Sequence, residues 1–194
     1  MKYDIILAGV GGQGVLSISS IIAASALKEG LYVKQSEVHG MSQRGGAVQA
    51  HLRLSDRAIQ SDLIPLGTAD LVLSMEPLES LRYLEFLAKE GHIVTASEPV
   101  TNINDYPDLE TLLAKIRTLP NTRTLEVNKL ARQAGSARAS NMVVIGAVSA
   151  LLPLKPATLE ATIRDNFARK GESIVDINLK AFAAGRGAIQ GETR

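Results

Sequence analysis

The sequence G-V-G-G-Q-G at residues 9–14 decides the fold that we predict for this chain. It follows Y-D-I-I-L-A at residues 3–8, a short aliphatic run typical of a buried parallel strand. Residues 15–28 are apolar or small nearly all round, which indicates a helix that is covered on more than one side. Residues 31–35 have the pattern of a second strand, so the order strand, glycine turn, helix and strand predicts a βαβ unit.

The glycines fit the spacing G-x-G-x-x-G at Gly9, Gly11 and Gly14, between a strand and a helix as that motif requires. Glycines allow a tight turn and let an anion approach the amino terminus of the following helix. Glu37 lies 23 residues beyond Gly14, near the position where a dinucleotide fold places its ribose-binding acid. The alternative is that the glycines only permit close packing of strand and helix.

A second motif, S-E-V-H-G-M-S-Q-R-G-G, occupies residues 36–46 and leads into an alternating strand at residues 47–54. The acid therefore runs into a loop, where a dinucleotide fold has a crossover helix. We expect this loop at the carboxyl edge of the sheet, beside the glycine turn, where open α/β sheets bind ligands. Arg44 followed by two glycines is suited to an anion or a carboxylate. The alternatives are a loop whose charges cap backbone groups or face a partner chain, and a structural role for His39 in place of general-base chemistry.

The remaining elements follow from periodicity and capping signals. Pro77 and the leucines at 78, 81, 84 and 87 predict a helix through Leu87. Asn141 is predicted to cap an apolar helix that Pro153 ends, although a helix terminus at a sheet edge could also hold an anion. Further strands are predicted at 70–74, 92–95 and 124–127, further helices at 108–118, 129–140, 157–170 and 174–184, and a frayed end at 185–194.

These elements predict an α/β protein with a three-layer α/β/α, Rossmann-like fold and a mostly parallel sheet. The prediction leaves open a mixed sheet in which residues 47–54 run antiparallel. We expect a single domain over residues 1–194, with a helical tail at about 156–187.

Composition narrows the classes of function. The net charge of +1 gives no electrostatic reason to expect a nucleic acid or a membrane as partner. Cysteine is absent, so the chain has no thiolate with which to hold an iron–sulfur cluster or zinc. The three histidines are scattered without metal-ligand spacing. No apolar run reaches membrane-spanning length and Asp4 interrupts any signal-peptide core, so a cytoplasmic protein is expected.

Four stretches together resemble one known family. They are G-V-G-G-Q-G-V, S-E-V-H-G-M-S-Q-R-G-G, D-L-V-L-S-M-E-P-L-E-S-L-R and N-M-V-V-I-G-A, and the resemblance extends over residues 2–182. The family is the gamma subunit, or gamma domain, of the 2-oxoacid:ferredoxin oxidoreductases. The short chain without cysteine looks most like the beta subunit of the indolepyruvate enzyme, and the pyruvate and 2-oxoglutarate enzymes carry a similar piece.

The resemblance implies a non-autonomous subunit of an enzyme that oxidatively decarboxylates a 2-oxoacid to an acyl-CoA. In this family thiamine diphosphate and iron–sulfur clusters belong to partner subunits, ferredoxin accepts the electrons, and coenzyme A is the co-substrate. The resemblance thus implies no cofactor on this chain alone. The alternatives are a stand-alone NAD(P)- or flavin-nucleotide-binding oxidoreductase and a non-enzymatic nucleotide-binding regulatory module.

We assign no catalytic or metal-binding residue to the chain. One set of residues is expected to lie at the subunit interface or near the entrance for substrate and coenzyme A. Its members are Gly9, Gly11, Gly12, Gln13, Gly14, Glu37, His39, Gly40, Ser42, Gln43, Arg44, Gly45, Gly46 and Asn141.

Overall fold

The computed structural model describes residues 1–39, 45–101 and 103–191. Within these residues, six strands form one sheet in the order β2-β3-β1-β4-β5-β6. The strands are β1 (Lys2–Val10), β2 (Tyr32–His39), β3 (Ala47–Ser55), β4 (Ala69–Ser74), β5 (Leu87–Ala96) and β6 (Thr122–Leu125).

The sheet is mixed because one strand, β3, runs against its neighbours. β1, β4, β5 and β6 pair in parallel, whereas β3 is antiparallel to both β1 and β2. β2 and β3 therefore pair as a hairpin, and the end of β2 and the start of β3 lie at the carboxyl end of β1. This arrangement confirms the predicted fold class, including the antiparallel strand that the sequence left open.

Helices cover both faces of the sheet. They are α1 (Val15–Lys28), α2 (Pro77–Arg82), α3 (Leu109–Arg117), α4 (Val127–Gln133), α5 (Ser140–Val148), α6 (Pro156–Phe167) and α7 (Glu172–Gly191). Alternate residues of β1 serve opposite faces: Ile5 and Leu7 pack with α1, α5, α6 and α7, while Ile6 packs on the other face. On that second face, α2 and α3 share a smaller apolar cluster, so the molecule has three layers.

The contact between α5 and α7 depends on two glycines. A Cβ atom at Gly146 would overlap the backbone of Phe182, and one at Gly185 would overlap the backbone of Val143. The two helices can approach this closely only because both positions lack a side chain. The predicted frayed end from residue 185 was therefore wrong as far as Gly191, where α7 ends.

Some predicted boundaries were wrong for physical reasons. The helix after Pro77 ends at Arg82, and Leu87 begins β5, because the later leucines pack onto the sheet face as a short turn and a strand. α5 begins at Ser140, so Asn141 lies in its first turn and is not the N-cap, and α5 ends at Val148, well before Pro153. By contrast, Asp108 caps α3 as predicted, accepting a hydrogen bond from the Thr111 amide at 2.9 Å.

Candidate functional site

The glycine turn sits at the carboxyl end of β1 and begins α1. Gly12 and Gly14 have φ angles of 102° and 80°, a left-handed region that favours glycine. A Cβ atom at Gly14 would run into the side chain of Asn141, whereas one at Gly12 would meet nothing within 4 Å. The backbone at Gly12 is thus open to approach from outside, while Gly14 is packed against α5.

Gln13 fixes the shape of the turn. Its Oε1 accepts a hydrogen bond from the Val10 amide at 2.7 Å, and its Nε2 donates to the carbonyl of Met75 at 2.9 Å. Met75 directly follows β4, so one uncharged side chain links the glycine turn to the next parallel strand. The turn is held by neutral hydrogen bonds and has no ion pair among the described residues.

The structure brings the described end of the second motif against this turn. The Gly11 amide donates to the carbonyl of Gly46 at 2.8 Å, and the Gly45 amide donates to the carbonyl of Gly11 at 3.4 Å. These bonds extend the antiparallel ladder of β1 and β3 beyond the strands. Gly45 also has a positive φ angle, of 79°. The backbone of both motifs therefore meets at the carboxyl edge of the sheet.

Most of the predicted site residues after β2 lie outside the described part of the chain. The backbone of His39 ends β2 opposite Val48, and only its backbone belongs to the described part of the chain. The predictions for the next residues of the loop fall outside the described residues. These are Gly40, Ser42, Gln43 and Arg44.

Glu37 does not lie where a dinucleotide fold would need it. It is an exposed residue of β2, at the edge of the sheet, and β3 separates that strand from β1. Because neighbouring strands lie about 4.8 Å apart, β2 is about 10 Å from the strand that carries the glycine turn. In a dinucleotide-binding βαβ unit the two strands are adjacent. The hairpin therefore removes the geometry on which the ribose-binding interpretation depended.

Asn141 joins α5 to the glycine turn. Its Nδ2 donates to the carbonyl of Gly14 at 3.3 Å. Its Oδ1 is buried and has no hydrogen-bond partner among the described residues. The amide thus holds the amino-terminal ends of α1 and α5 together, a role different from the cap that the sequence suggested.

Sequence reasoning missed the role of Glu76. This residue is 1% exposed and caps α2, where its Oε2 accepts from the Glu79 amide at 2.9 Å. Its Oε1 accepts hydrogen bonds from the Tyr106 hydroxyl and, at 3.4 Å, from the Val100 amide. In the part of the chain that the structure describes, this buried carboxylate has no cationic partner, and its hydrogen bonds hold the segment after β5 against α2. Burial, and then the hydrogen bond to Glu76, raise the pKa of Tyr106.

Glu79 lies one turn further along α2. Its Oε1 pairs with Nε of Arg82 at 3.0 Å, but its buried Oε2 has no hydrogen-bond partner within residues 1–39, 45–101 and 103–191. Burial raises the pKa of Glu79, although the charge of Arg82 opposes the shift. The signal in the sequence was E-P-L-E at residues 76–79, which predicted the start of a helix but not the distant segment that Glu76 holds.

His51 has a structural role. Its Nδ1 accepts a hydrogen bond from the Ile64 amide at 3.0 Å, and its ring meets that of Phe86 edge to face. Burial, followed by the nearby charge of Arg53, lowers the pKa of His51 and favours the neutral ring.

The donor groups present do not fit the metal cofactors that the sequence resemblance implies for the enzyme. Among the described residues no group of three or more His, Cys, Asp or Glu could hold a metal ion, and the whole sequence lacks Cys. An iron–sulfur cluster needs thiolate ligands, which this chain cannot supply. In the described part of the chain, no helix is long and apolar enough to cross a membrane.

Comparison with known proteins gives a consistent family. A family model described as pyruvate ferredoxin/flavodoxin oxidoreductase matches residues 4–188. Indolepyruvate oxidoreductase subunit IorB from Archaeoglobus fulgidus is 37% identical over 95% of this chain and 94% of its own length. 2-Oxoglutarate synthase subunit KorC from Methanothermobacter thermautotrophicus is 29% identical over 100% of this chain and 98% of its own length.

Two solved structures share the fold. The gamma subunit of a keto/oxoacid ferredoxin oxidoreductase from Geobacter sulfurreducens PCA matches with a TM-score of 0.69 and 26% identity, over 97% of this chain and 99% of its own. The 2-oxoglutarate:ferredoxin oxidoreductase from Magnetococcus marinus, with 2-oxoglutarate, coenzyme A and succinyl-CoA bound, matches with a TM-score of 0.78 and 23% identity. That match covers 98% of this chain and 31% of the larger one.

Proposed function

Because the chain belongs to the pyruvate ferredoxin/flavodoxin oxidoreductase family, we propose that it is the small subunit of an indolepyruvate-type 2-oxoacid:ferredoxin oxidoreductase. The observation that carries the proposal is the end-to-end match with indolepyruvate oxidoreductase subunits, at 34–37% identity. The 2-oxoglutarate synthase subunits match over similar lengths at 29–31% identity. The family match at residues 4–188 also supports one domain over the whole chain.

The proposal places the redox chemistry on partner chains. Thiamine diphosphate and iron–sulfur clusters would be held by a catalytic subunit, since this chain lacks the thiolates that clusters need. Coenzyme A is then a co-substrate of the assembled complex, and ferredoxin is its electron acceptor. The small subunit is inactive alone, and its part in catalysis is to complete the complex.

We further propose that the carboxyl edge of the sheet is the face that meets the catalytic subunit. Three features support this assignment. Backbone groups of the glycine turn and of Gly45 and Gly46 lie side by side there. Gly12 has open space where a side chain would be. Glu76 holds the neighbouring segment in place through Tyr106. A surface of bare backbone permits close approach of a second chain. Arg44 as an anion contact stays a prediction from the sequence.

The experiment that tests the proposal is reconstitution of activity. The chain would be expressed with and without a thiamine-binding catalytic subunit of the same family, and viologen reduction followed with indolepyruvate, pyruvate and 2-oxoglutarate plus coenzyme A. We expect co-purification and activity only with both chains, with indolepyruvate preferred. Dye reduction by the catalytic chain alone at the full rate, or saturable NADH binding by the lone small chain, would contradict the proposal. The second result would revive the nucleotide-binding alternative.

A further inference from the structure

A cleft on the helical side of the molecule is not explained by the proposed function. It has a volume of about 380 Å³ and lies among the segment before α5, the end of α6 and the beginning of α7. Its walls include Arg138, Phe167, Lys170, Ile174, Ile177 and Asn178.

One side of the cleft is apolar. Phe167 and Ile177 are half-buried, and Ile174 is 36% exposed although it is a large aliphatic side chain. Gly135, with a φ angle of 118°, completes this side, and a Cβ atom there would lie 3.2 Å from Ile177. The missing side chain leaves the apolar surface accessible from outside.

Beside this apolar wall the cleft carries two cations, Arg138 and Lys170. Neither Arg138 nor Lys170 lies within 4 Å of a carboxylate in the described part of the chain. The Lys170 ammonium instead stands 5.2 Å from the centre of the Phe167 ring. Two unneutralised cations beside an aromatic wall favour an anion with an apolar body.

A cavity at the amino end of the sheet serves as a comparison, because most of its charges are paired. It has a volume of about 630 Å³ and is lined by charged residues that include Asp4 and Arg53. There both lining carboxylates are paired, because Arg53 Nε donates to Asp4 Oδ1 at 2.9 Å and the amino terminus pairs with Asp56, although Arg57 also lines this cavity. In the cleft before α5, no carboxylate of the described residues pairs with Arg138 or Lys170.

We propose that the cleft beside Arg138 and Lys170 binds a small amphipathic anion, a carboxylate or a phosphate ester that carries an aryl or alkyl body. The charged group lies between the two cations, and the apolar body lies against Phe167, Ile174 and Ile177. The volume falls within the range of about 300–1,000 Å³ that small-molecule sites occupy. The site goes beyond the proposed function, because it requires neither the partner subunit nor the glycine turn.

The test uses 1-anilinonaphthalene-8-sulfonate, a fluorescent anion with an apolar body, on the full chain. We expect saturable binding that 3-phenylpropionate or phenyl phosphate displaces and that neutral 3-phenylpropanol displaces much less. Displacement by the phosphate alone would identify phosphate esters as the ligand class, and displacement by the carboxylate alone would identify carboxylates. If neither anion displaced the dye, the proposal would be overturned.

Matched variants locate the site. Arg138→Gln and Lys170→Gln should each weaken binding about 3- to 10-fold, as expected for loss of one charged contact at an exposed site. Arg169→Gln, which removes an adjacent exposed cation outside the cleft, should leave affinity unchanged. Ile174→Ala should also weaken binding, whereas Leu27→Ala, at another exposed aliphatic residue, should not. The proposal would be overturned if the double variant Arg138→Gln/Lys170→Gln bound the dye as tightly as Arg169→Gln does. Circular dichroism would verify that all variants fold.

Discussion

The two ends of the sheet are built in different ways. At the amino end, Asp4 is completely buried and pairs with Arg53, directly opposite on β3, and with Lys2 at 2.8 Å. Arg53 also donates to the carbonyls of Ser61 and Leu63. At the carboxyl end the two glycine motifs meet through backbone hydrogen bonds, and the side chain that joins them to β4 is the neutral Gln13.

This difference indicates a division of labour within one sheet. Ion pairs and hydrogen bonds of Arg53 hold the loop after β3 at the amino end. The carboxyl end has backbone without side chains and a buried carboxylate, Glu79, one of whose oxygens has no hydrogen-bond partner among the described residues. We infer that the amino end serves stability and that the carboxyl end serves assembly.

The largest effect on stability should follow from breaking the amino end. Arg53→Ala leaves the carboxylate of Asp4 buried with only Lys2 as an ionic partner, so the free energy of unfolding should fall by about 3 kcal/mol. Chemical denaturation would measure this loss, with Arg57→Ala on the adjoining loop as control. Since the amino end lies away from the proposed interface, the folded fraction should still bind the catalytic subunit. Loss of binding by correctly folded protein would contradict the division.

Glu76→Gln should have the next largest effect on the free energy of unfolding, this time near the carboxyl end of the sheet. The amide cannot accept from the Glu79 amide, the Val100 amide and the Tyr106 hydroxyl together, so we expect a loss of about 1–3 kcal/mol. Limited proteolysis should also show faster cleavage at residues 98–106, the segment that Glu76 holds. Glu90→Gln, at an exposed carboxylate, is the control. Unchanged cleavage in Glu76→Gln would show that this side chain does not hold the segment.

Gly12→Ala and Gly30→Ala form a matched pair that separates strain from assembly. Both glycines have a positive φ angle, 102° and 77°, and nothing within 4 Å of an added Cβ, so each substitution should cost about 1–2 kcal/mol, the penalty for a left-handed residue. Only Gly12 lies at the carboxyl end. Titration against the catalytic subunit should therefore show weaker binding by Gly12→Ala alone. Equal affinity of the two variants would argue against Gly12 as an interface residue.

The smallest effect concerns the pH dependence at Glu79. Burial raises its pKa above the ordinary value of 4.5, so the folded state holds this proton more tightly than the unfolded state does. Its contribution to stability is therefore present below pH 4.5 and is lost as pH rises through the raised pKa.

Glu79→Gln should remove that part of the pH dependence, and losing the pair with Arg82 should cost only about 0.2–0.5 kcal/mol. Urea denaturation at several pH values would measure both quantities, with the exposed Glu110→Gln as control. If Glu79→Gln kept the same pH dependence of the free energy of unfolding as the wild type, another group would be responsible for it.

Local patterns predicted the features that depend on neighbouring residues. The strand, glycine turn and helix at residues 2–28 and the Asp108 cap could be read directly, because their signals lie within a few positions. The leucine spacing after Pro77 was misleading, because Leu87 begins β5 and packs, half-buried, against the core of the sheet.

Long-range features had no signal in a single sequence. Glu76 holds Val100 and Tyr106, which lie 24 and 30 residues further along the chain. Gly185 is a close-approach residue only because Val143, on another helix, lies against it. The function was predicted mainly from the resemblance to a known family, because the residues alone left several classes of function open.

Hydrogen–deuterium exchange on the chain with and without its catalytic subunit tests the central claim most directly. Our account predicts slower exchange on complex formation in residues 9–14 at the carboxyl end, and unchanged exchange in residues 56–63 at the amino end. Protection confined to residues 56–63, with residues 9–14 unchanged, would contradict the account and move the interface to the opposite end of the sheet.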